Sequence, residues 1–293
     1  CRFKKRRKVM KAAIFPNFQK NNALECARNL CDILNKAGIE VYIDNSYKKE
    51  FMDKNFVHYG LFDEFACKSD FAIAIGGDGT ILKCAKHIID ADTRLLGINT
   101  GRLGFMSALE YDQLDNISEI HSGKYRISKR MMMDVRIDSG GSIYELTALN
   151  DVSVSAAYSS ICDFNIYADG NIIGSYRADG AVFSTPTGST AYSLSAGGPI
   201  IEPEMECIEM TLICPHSLFT RPMIFSPEKK IRFENTLRRN PEIFISVDGG
   251  EAIKLSVGSS VEVTRSEHTV SLVTMTEDSF YNSLNKKFMH PIK

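Results

Sequence analysis

The sequence lacks the patterns that mark several large classes of protein. Its eight cysteines form no CxxC pair and no Cys/His ladder at zinc spacing, so we expect buried, reduced thiols instead of a metal site. No apolar run approaches the roughly 18 to 20 residues that span a bilayer, and no apolar signal-peptide core follows the basic start. With 35 Lys and Arg against 36 Asp and Glu, the chain has no excess positive charge to hold nucleic acid or an anionic membrane. We therefore predict a cytoplasmic protein with neither a nucleic-acid nor a membrane partner.

The first eight residues form a basic segment, in which Arg2, Lys4, Lys5, Arg6, Arg7 and Lys8 are all positively charged. The chain begins with Cys1, and Met10 stands just before an apolar strand pattern. Two interpretations stay open with about equal weight: the segment lies upstream of a natural start, or it is a genuine basic arm. A localisation signal is a weaker third alternative.

A chain of 293 residues predicts two domains at about 150 residues per domain. In the first third, apolar strand patterns alternate with helical patterns, and this alternation predicts a doubly wound α/β domain with a parallel sheet over residues 1–123. We predict strands at 9–15, 39–43, 71–75 and 95–98, and helices at 22–36, 80–89 and 110–121.

After Gly123 the pattern changes to short runs with period-two alternation, separated by turn residues. The pair Asp169-Gly170 between two such runs predicts a β-hairpin. We therefore predict a second, mostly antiparallel β domain over residues 124–275, with late strands at 260–265 and 269–275. The tail, residues 276–293, is expected to lie back on the first domain at a place that the sequence does not show.

The first loop with candidate chemistry is Gly76-Gly77-Asp78-Gly79-Thr80, which follows a buried strand and opens a helix. Open α/β sheets bind ligands at this edge, and glycines with unpaired N–H groups at a helix start suit a phosphate. A carboxylate repels a phosphate unless it holds a metal or accepts a proton, and phosphoryl transfer uses both roles. The alternative is a tight turn in which Asp78 caps the helix.

A second glycine-rich loop follows the next strand and contains Asn99, Gly101, Gly104 and Phe105. Two such loops in succession favour a shared phosphate cleft. Neither loop matches the Walker A motif or the dinucleotide fingerprint, so any phosphate would bind without a P-loop lysine.

The densest segment, residues 179–199, is rich in hydroxyls and turn formers and suits a polyhydroxyl ligand better than a core strand. Asn150-Asp151 and the segment around His216 are weaker candidates. For His216, a packing histidine is at least as good an interpretation as a catalytic one.

Together these motifs resemble the NAD kinase family. The resemblance rests on the loops at 76–80 and 99–105, the Asn-Asp pair at 150–151, the Thr-Pro-Thr-Gly-Ser-Thr-Ala-Tyr block at 185–192 and the Pro-His-Ser-Leu run at 215–218. The block at 185–192 is the specific part, because diacylglycerol and sphingosine kinases also have the first loop.

The resemblance implies transfer of a phosphoryl group from ATP to NAD, with Mg²⁺ on the ATP and no metal ligand from the protein. Asp78 would accept the proton of the 2′-hydroxyl of the adenosine ribose, and Asn150 and Asp151 would hold the adenosine half. The chain departs from the family at the end of the Val247-Asp248-Gly249-Gly250 turn, where some members have a Gln whose side chain touches ligand and this chain has Gly250. The residues implied to bind nucleotide are Gly76, Gly77, Gly79, Thr80, Asn99, Gly101, Gly104, Phe105, Asn150, Asp151, Arg177, Asp179, Thr187, Ser189, Thr190, Ala191, Tyr192, Ser193, Leu194, Ser195 and His216.

Two other functions stay open beside this one. A lipid kinase shares the first loop but needs an apolar acyl-chain pocket, and a dinucleotide sensor would have lost the transfer reaction. Family resemblance and the exposed edges of a strand-rich domain also predict a homodimer or homotetramer.

Overall fold

The computed structural model describes residues 9–89, 91–101, 104–235, 241–275 and 279–289. The predicted basic segment at 1–8, residues 102–103 of the second glycine-rich loop and parts of the predicted tail lie outside the described residues. The chain divides into two compact units, which we call the first unit (Cys1–Lys129 with Val270–Lys293) and the second unit (Arg130–Thr269). Within the described ranges, no helix has the length and apolar composition needed to cross a bilayer.

The elements before residue 125 alternate strand and helix. Two 3₁₀ segments, Asn45–Phe51 and Tyr111–Ser122, complete this part. The strands and helices are β1 (Lys11–Pro16), α1 (Ala23–Lys36), β2 (Glu40–Asp44), β3 (Val57–Gly60), α2 (Phe62–Ala66), β4 (Phe71–Gly76), α3 (Asp78–Lys86), β5 (Arg94–Asn99) and β6 (Leu109–Glu110).

The first unit contains a parallel sheet with the strand order β3-β2-β1-β4-β5. Every residue of β4 is buried, as expected for a strand whose two faces are both covered. From β1 the chain continues to β2 on one side, whereas from β4 it continues to β5 on the other. The carboxyl ends of β1 and β4 therefore flank the switch point of the sheet, where open α/β sheets bind ligands. The predicted α/β fold of this part is confirmed.

The elements after residue 125 are mostly strands, with a short 3₁₀ turn at Gly188–Thr190. They are β7 (Arg126–Ser139), β8 (Ser142–Ala148), β9 (Asp151–Ala156), β10 (Cys162–Ala168), β11 (Asn171–Ala178), β12 (Gly180–Ser184), α4 (Tyr192–Ser195), β13 (Ile208–Ile213), β14 (Met223–Phe225), β15 (Ile231–Glu234), β16 (Ile243–Val247), β17 (Ile253–Leu255), β18 (Ser260–Thr274) and α5 (Ser279–Met289).

The second unit is built from antiparallel strands, which confirms the predicted mostly antiparallel β fold. One six-stranded sheet has the order β14-β13-β12-β9-β16-β17. In a second group of strands, β11 pairs with β10, β10 pairs with β15, and β15 pairs with the first part of β18. Its core is formed by the inward side chains of both groups, among them Val152, Phe164 and Phe233. At the β10–β11 turn, Asp169 and Gly170 have positive φ angles of 47° and 79°, the conformation that a two-residue hairpin turn requires.

Three predicted elements, one helix and two strands, differ in the structure. The segment predicted as an α-helix at 110–121 is a 3₁₀ helix, and its buried residues Leu114, Ile117 and Ile120 are spaced by three, which matches three residues per turn. The strands predicted separately at 260–265 and 269–275 form the single strand β18.

The cysteines of the described residues are free thiols. Cys26, Cys31, Cys84, Cys162 and Cys207 are buried, whereas Cys67 and Cys214 are exposed. Burial raises the pKa of Cys31 to about 12, so this thiol stays protonated at neutral pH.

Candidate functional site

The Gly76-to-Thr80 loop lies at the carboxyl end of β4, beside the switch point of the first unit's sheet. β4 ends at Gly76 and α3 begins at Asp78, so the chain turns directly from strand to helix. The Thr80 N–H donates to the carbonyl oxygen of Gly77 at 2.8 Å and closes this turn. A cavity of about 540 Å³ adjoins the loop and is lined by Phe15, Pro16, Asn17, Phe18, Gln19, Tyr47, Thr80 and Lys83.

Asp78 connects this loop to the second glycine-rich loop. Its Oδ2 accepts the N–H of Phe105 at 3.0 Å, and its Oδ1 accepts the N–H of Met106 at 3.2 Å. A Cβ atom on Gly104 would lie 2.2 Å from Oδ1 of Asp78, so this close approach requires glycine at that position. The N-cap position of α3 belongs to Gly77, so the alternative of Asp78 as the helix cap is wrong. The carboxylate is held in place by backbone N–H groups of a different loop.

The second loop is also fixed against the first. The Thr100 N–H donates to the carbonyl oxygen of Gly76 at 3.0 Å, and the buried Asn99 side chain bonds both the N–H and the carbonyl oxygen of Gly101. The hydroxyl of Thr100 is buried and has no hydrogen-bond partner in the part of the chain that the structure describes. The two loops therefore form one rigid edge, with Asp78 half-buried between them.

In the second unit, the backbone around Asn150 is held by Asp248. The two carboxylate oxygens of Asp248 accept the N–H groups of Leu149, Asn150 and Asp151 at 3.0, 2.7 and 3.2 Å. The N–H of Asp248 in turn donates to the carbonyl oxygen of Asp151 at 2.9 Å. Asp248 has φ +51°, a left-handed conformation that Asp tolerates better than most residues.

The carbonyl side of the same segment is held by the hydroxyl-rich block. The Thr185 hydroxyl donates to the carbonyl oxygen of Leu149 at 2.6 Å, and the Thr185 N–H donates to that of Asn150 at 2.9 Å. A Cβ atom on Gly188 would lie 2.1 Å from the Asn150 carbonyl oxygen, so only glycine fits here. The segment is therefore fixed from both sides.

This fixed backbone presents two buried polar side chains. Asn150 is 7% exposed, and its Oδ1 has no hydrogen-bond partner among the described residues. Asp151 is equally buried, and its pKa is raised to about 7, chiefly by burial and then by the charge of Asp248, while an N–H from Tyr192 acts in the opposite direction. A buried acceptor without a partner costs free energy, so Asn150 is a natural ligand contact.

The hydroxyl-rich segment at 179–199 uses several of its hydroxyls for hydrogen bonds within the protein. The Ser189 hydroxyl donates to the Pro186 carbonyl oxygen at 2.8 Å and accepts the N–H of Ile201 at 3.0 Å. The hydroxyl of the buried Ser193 is likewise bonded within the protein. Tyr192 and Ser195 are exposed and Thr190, Ala191 and Leu194 are half-buried, so these residues, unlike the buried Ser189, have side-chain surface that a ligand could reach.

The remaining predicted residues differ in their surroundings. The pKa of Tyr192 is raised chiefly by burial and then by the charges of Cys214, Asp151 and Asp179. Arg177 and His216 are exposed, and the His216 N–H donates to the Arg177 carbonyl oxygen at 2.9 Å. The described contacts of His216 are therefore made by its backbone, and a catalytic role for its side chain stays a prediction.

Beneath α4 lies a buried acid that the sequence did not indicate. Oε1 of Glu209, which is 0% exposed, accepts the hydroxyls of Ser193 at 2.7 Å and Thr211 at 2.9 Å. Its Oε2 is buried without a partner among the described residues. Burial raises the pKa of Glu209, against the effect of the two hydroxyls. This network fixes Ser193, and with it the short helix α4.

The buried Glu209 makes stability depend on pH. Because its pKa is raised by folding, the folded protein binds this proton to a higher pH than the unfolded chain, and stability falls as the pH rises between the two values. Glu209→Gln removes the titration but keeps an acceptor for Ser193. As the pH rises, the parent loses this stability and the variant does not. We therefore expect the Tm of the variant minus the Tm of the parent to increase from pH 5 to pH 8, by about 2 to 4 °C for each kcal/mol that the parent loses. The exposed Glu145→Gln is the control, and a pH-independent difference for Glu209→Gln would contradict the assignment.

Besides Glu209, sequence reasoning missed three residues near these motifs. Arg130 is 5% exposed, its Nη1 lies 3.5 Å from the hydroxyl of Thr187, and burial lowers its pKa to about 10. Asp248 has a partial signal, because it is followed by Gly249 and an Asp-Gly pair is typical of a turn. Lys287 comes from the distant helix α5 and had no signal.

Models of two domains match the chain. The ATP-NAD kinase N-terminal domain matches residues 12–123, and the ATP-NAD kinase C-terminal domain matches residues 149–275. Among curated proteins, the chain is similar to an NAD kinase of Caldanaerobacter subterraneus subsp. tengcongensis, with 34% identity over 288 residues that cover 95% of this chain and 99% of the relative. An NAD kinase of Citrifermentans bemidjiense is 31% identical over 282 residues, 95% of this chain and 98% of the relative.

Solved structures show the same likeness. Yeast NADH kinase complexed with NADH has a TM-score of 0.89 at 25% identity, covering 98% of this chain and 90% of that one. An NAD kinase from Archaeoglobus fulgidus in complex with ATP has a TM-score of 0.70 at 22% identity, covering 95% and 98%, and supports the fold alone.

Proposed function

The chain belongs to the NAD kinase family and has the phosphotransferase activity of that family, and we propose that it transfers the γ-phosphoryl group of ATP to the 2′-hydroxyl of the adenosine ribose of NAD. The product is NADP. The observation that supports this reaction most directly is the placement of Asp78, a carboxylate at the ligand-binding edge of a parallel sheet, held by the N–H groups of Phe105 and Met106.

Asp78 acts as the proton acceptor in this proposal. The ribose 2′-oxygen forms a bond to the γ-phosphorus, the bond from that phosphorus to the β–γ bridging oxygen breaks, and ADP leaves with the electron pair. The hydroxyl proton passes to the Asp78 carboxylate. Because the transition state of phosphoryl transfer is loose, positioning matters more than base strength. The two N–H bonds to Asp78 supply that positioning.

The second unit contributes the groups that hold the dinucleotide. We assign the adenosine half to Asn150 and Asp151, since Asn150 presents a buried acceptor without a protein partner among the described residues. The amino group of adenine is the type of donor that a carboxamide oxygen accepts. Tyr192 and Thr190 extend this surface, and Arg177 and Asp179 are assigned to other parts of the dinucleotide.

We expect Asn150→Ala to weaken NAD binding far more than it slows the chemical step. Loss of one hydrogen bond costs about 0.5–1.5 kcal/mol, so KM for NAD should rise about 3- to 10-fold. Steady-state kinetics with NAD as the varied substrate measures KM and kcat separately. The exposed Asn171→Ala is the control. A fall in kcat with an unchanged KM for NAD would contradict this role.

We propose that Mg²⁺ binds to the phosphates of ATP. Bound to the phosphates, the ion neutralises charge that would otherwise oppose transfer. In the loop, both oxygens of Asp78 already accept N–H bonds, so we propose phosphate oxygens and water as the ligands of the ion.

The experiment that tests the function compares three acceptors. Purified full-length protein is incubated with ATP, Mg²⁺ and NAD, and NADP is detected with an NADP-specific dehydrogenase. Parallel reactions contain diacylglycerol or sphingosine. We expect NADP and no lipid phosphate. Lipid phosphorylation without NADP would establish a lipid kinase, and ligand binding without any transfer would establish a dinucleotide sensor.

We also propose a homodimer or homotetramer in the cytoplasm. The free thiols of the described residues fit a reducing compartment. β14 stands at one end of its sheet with Ile224 56% exposed, and the preceding loop exposes Leu218 and Phe219. Edge strands with exposed apolar side chains favour pairing. Light scattering should give a multiple of 32.7 kDa, and Phe219→Asp should lower it; the mass of a single chain for the parent would contradict the proposal.

A further inference from the structure

The glycine-rich loops of the first unit pose an electrostatic problem. They contain the carboxylate of Asp78, and they lack the lysine that binds phosphates in a Walker A motif. A triphosphate that approaches Asp78 therefore meets the negative charge of its carboxylate. A cation from elsewhere in the chain would remove the repulsion.

Helix α5 brings such a cation to the second loop. Phe280 and Lys287 are seven residues apart and therefore lie on the same face of the helix. The ring centroids of Phe280 and Phe105 are 6.2 Å apart, and Nζ of Lys287 lies 3.8 Å from the Phe105 ring centroid. The N–H of Phe105 is the group that holds Oδ2 of Asp78, so α5 lies against the residue that positions the carboxylate.

The surroundings of Lys287 differ from those of an ordinary surface lysine. Lys287 is half-buried, and burial lowers its pKa, while the charge of Asp78 acts in the opposite direction. The charge of the Asp78 carboxylate therefore acts on the ammonium group of Lys287. Lys286, its neighbour, is 64% exposed, and its Nζ lies 4.0 Å from Oε1 of Glu110.

We propose that Lys287 binds the γ-phosphate of ATP, and this inference rests on the proposed function. Its ammonium group donates hydrogen bonds to the phosphate oxygens and offsets the repulsion from Asp78. Lys287 forms no covalent bond: the ribose oxygen still bonds to the γ-phosphorus, ADP leaves, and the proton goes to Asp78. Helix α5 thus supplies a lysine next to Phe105 of the second glycine-rich loop, although neither loop contains a lysine of its own.

Two structural roles could also place a lysine here. Lysines in the last turn of a helix interact favourably with its dipole, and Lys286 and Lys287 both occupy the last turn of α5. The apolar stem of Lys287 could also serve only to pack on Phe105. Lys286 shares the interaction with the helix dipole, so Lys286→Gln tests that role. Methionine at position 287 retains the packing on Phe105, so Lys287→Met tests the packing role.

The test measures ATP and NAD kinetics of Lys287→Gln, Lys287→Met and Lys286→Gln in the full chain, with Tm recorded for each. Loss of a hydrogen bond to a charged group weakens binding by about 10- to 100-fold. We therefore expect kcat/KM for ATP to fall by that factor in both Lys287 variants. KM for NAD should stay within about twofold of the parent, and Lys286→Gln should match the parent. Calorimetric affinity for ATP, measured below the melting transition, should fall in the same two variants.

Three results would overturn the inference. These are parent-like ATP kinetics in Lys287→Met, an equal loss in Lys286→Gln, or a loss confined to NAD affinity. The parent is assayed first: a parent that forms no NADP refutes the proposed function itself. An active parent with unchanged Lys287 variants refutes only the role of Lys287.

Discussion

Asp78→Asn is expected to lower kcat for NADP formation by about 10²- to 10⁴-fold, the usual cost of losing a general base. Asparagine keeps the size of the side chain, and its oxygen can still accept one of the two N–H bonds from Phe105 and Met106. It does not accept a proton. NAD affinity should change far less, because the substitution removes one polar contact and also removes charge repulsion. Steady-state kcat and calorimetric NAD affinity, measured beside the parent, check both parts.

The matched control is Asp63→Asn. Asp63 occupies the first turn of α2 as Asp78 occupies the first turn of α3, so both substitutions remove a favourable charge from a helix start. Asp63→Asn also weakens the contact of Asp63 with Nδ1 of His87. We expect kcat of Asp63→Asn to equal that of the parent. An unchanged kcat in Asp78→Asn would return the loop to a purely structural role, and equal losses in both variants would point to helix stability.

Asp248→Ala is expected to cost the protein about 3 kcal/mol or more in free energy of unfolding. The substitution leaves the N–H groups of Leu149, Asn150 and Asp151 without their acceptor, and each buried unsatisfied group costs about 1–3 kcal/mol. Alanine at φ +51° adds about 1 kcal/mol of backbone strain. Urea denaturation measures the loss, and KM for NAD should rise because Asn150 is no longer held.

Asp169→Ala separates the strain from the hydrogen bonds. Asp169 also has a positive φ angle, 47°, and precedes a glycine. Within the described part of the chain, its carboxylate accepts one backbone N–H, that of Lys230, and pairs with the exposed Lys229. We expect a loss of less than about 2 kcal/mol and an unchanged KM for NAD, since surface pairs contribute little. Similar losses in the two variants would mean that strain alone explains the effect.

Where one repeating pattern dominates, the sequence was sufficient to predict the fold. The buried run of β4 and the alternation of strand and helix around it predicted the parallel sheet, and the Asp169-Gly170 pair predicted the β10–β11 hairpin. Short elements such as α2, with five residues, gave no signal, because a period of 3.6 needs more than one turn to be visible. The helix predicted at 110–121 is of the 3₁₀ type, which the sequence did not specify because spacings of three and four look alike in a short window.

The candidate site was predictable to the extent that its residues lie in glycine-rich or hydroxyl-rich loops at strand ends. What the sequence did not show are the contacts between distant segments. Asp248 bonds a backbone about a hundred residues earlier, and Lys287 reaches Phe105 from the far end of the chain. In the sequence, Glu209 is one charged residue within an apolar strand, and nothing there shows that the hydroxyls of Ser193 and Thr211 bind its carboxylate. Long-range pairing of this kind leaves no local periodicity.

The return of the chain to the first unit also sets an order of events during synthesis. Residues 270–274 of β18 belong to that unit, where Leu272 pairs with Leu95 and Val273 is fully buried, and α5 follows. A ribosome-bound chain that ends before residue 270 has made the loop with Asp78 but not the strand beside β5. Domains fold as units as they emerge from the ribosome. The first unit therefore completes its folding only after the whole second unit has been translated. A nascent chain that ends before residue 270 therefore lacks part of the first unit, and we expect activity only once residues 270–289 have been translated.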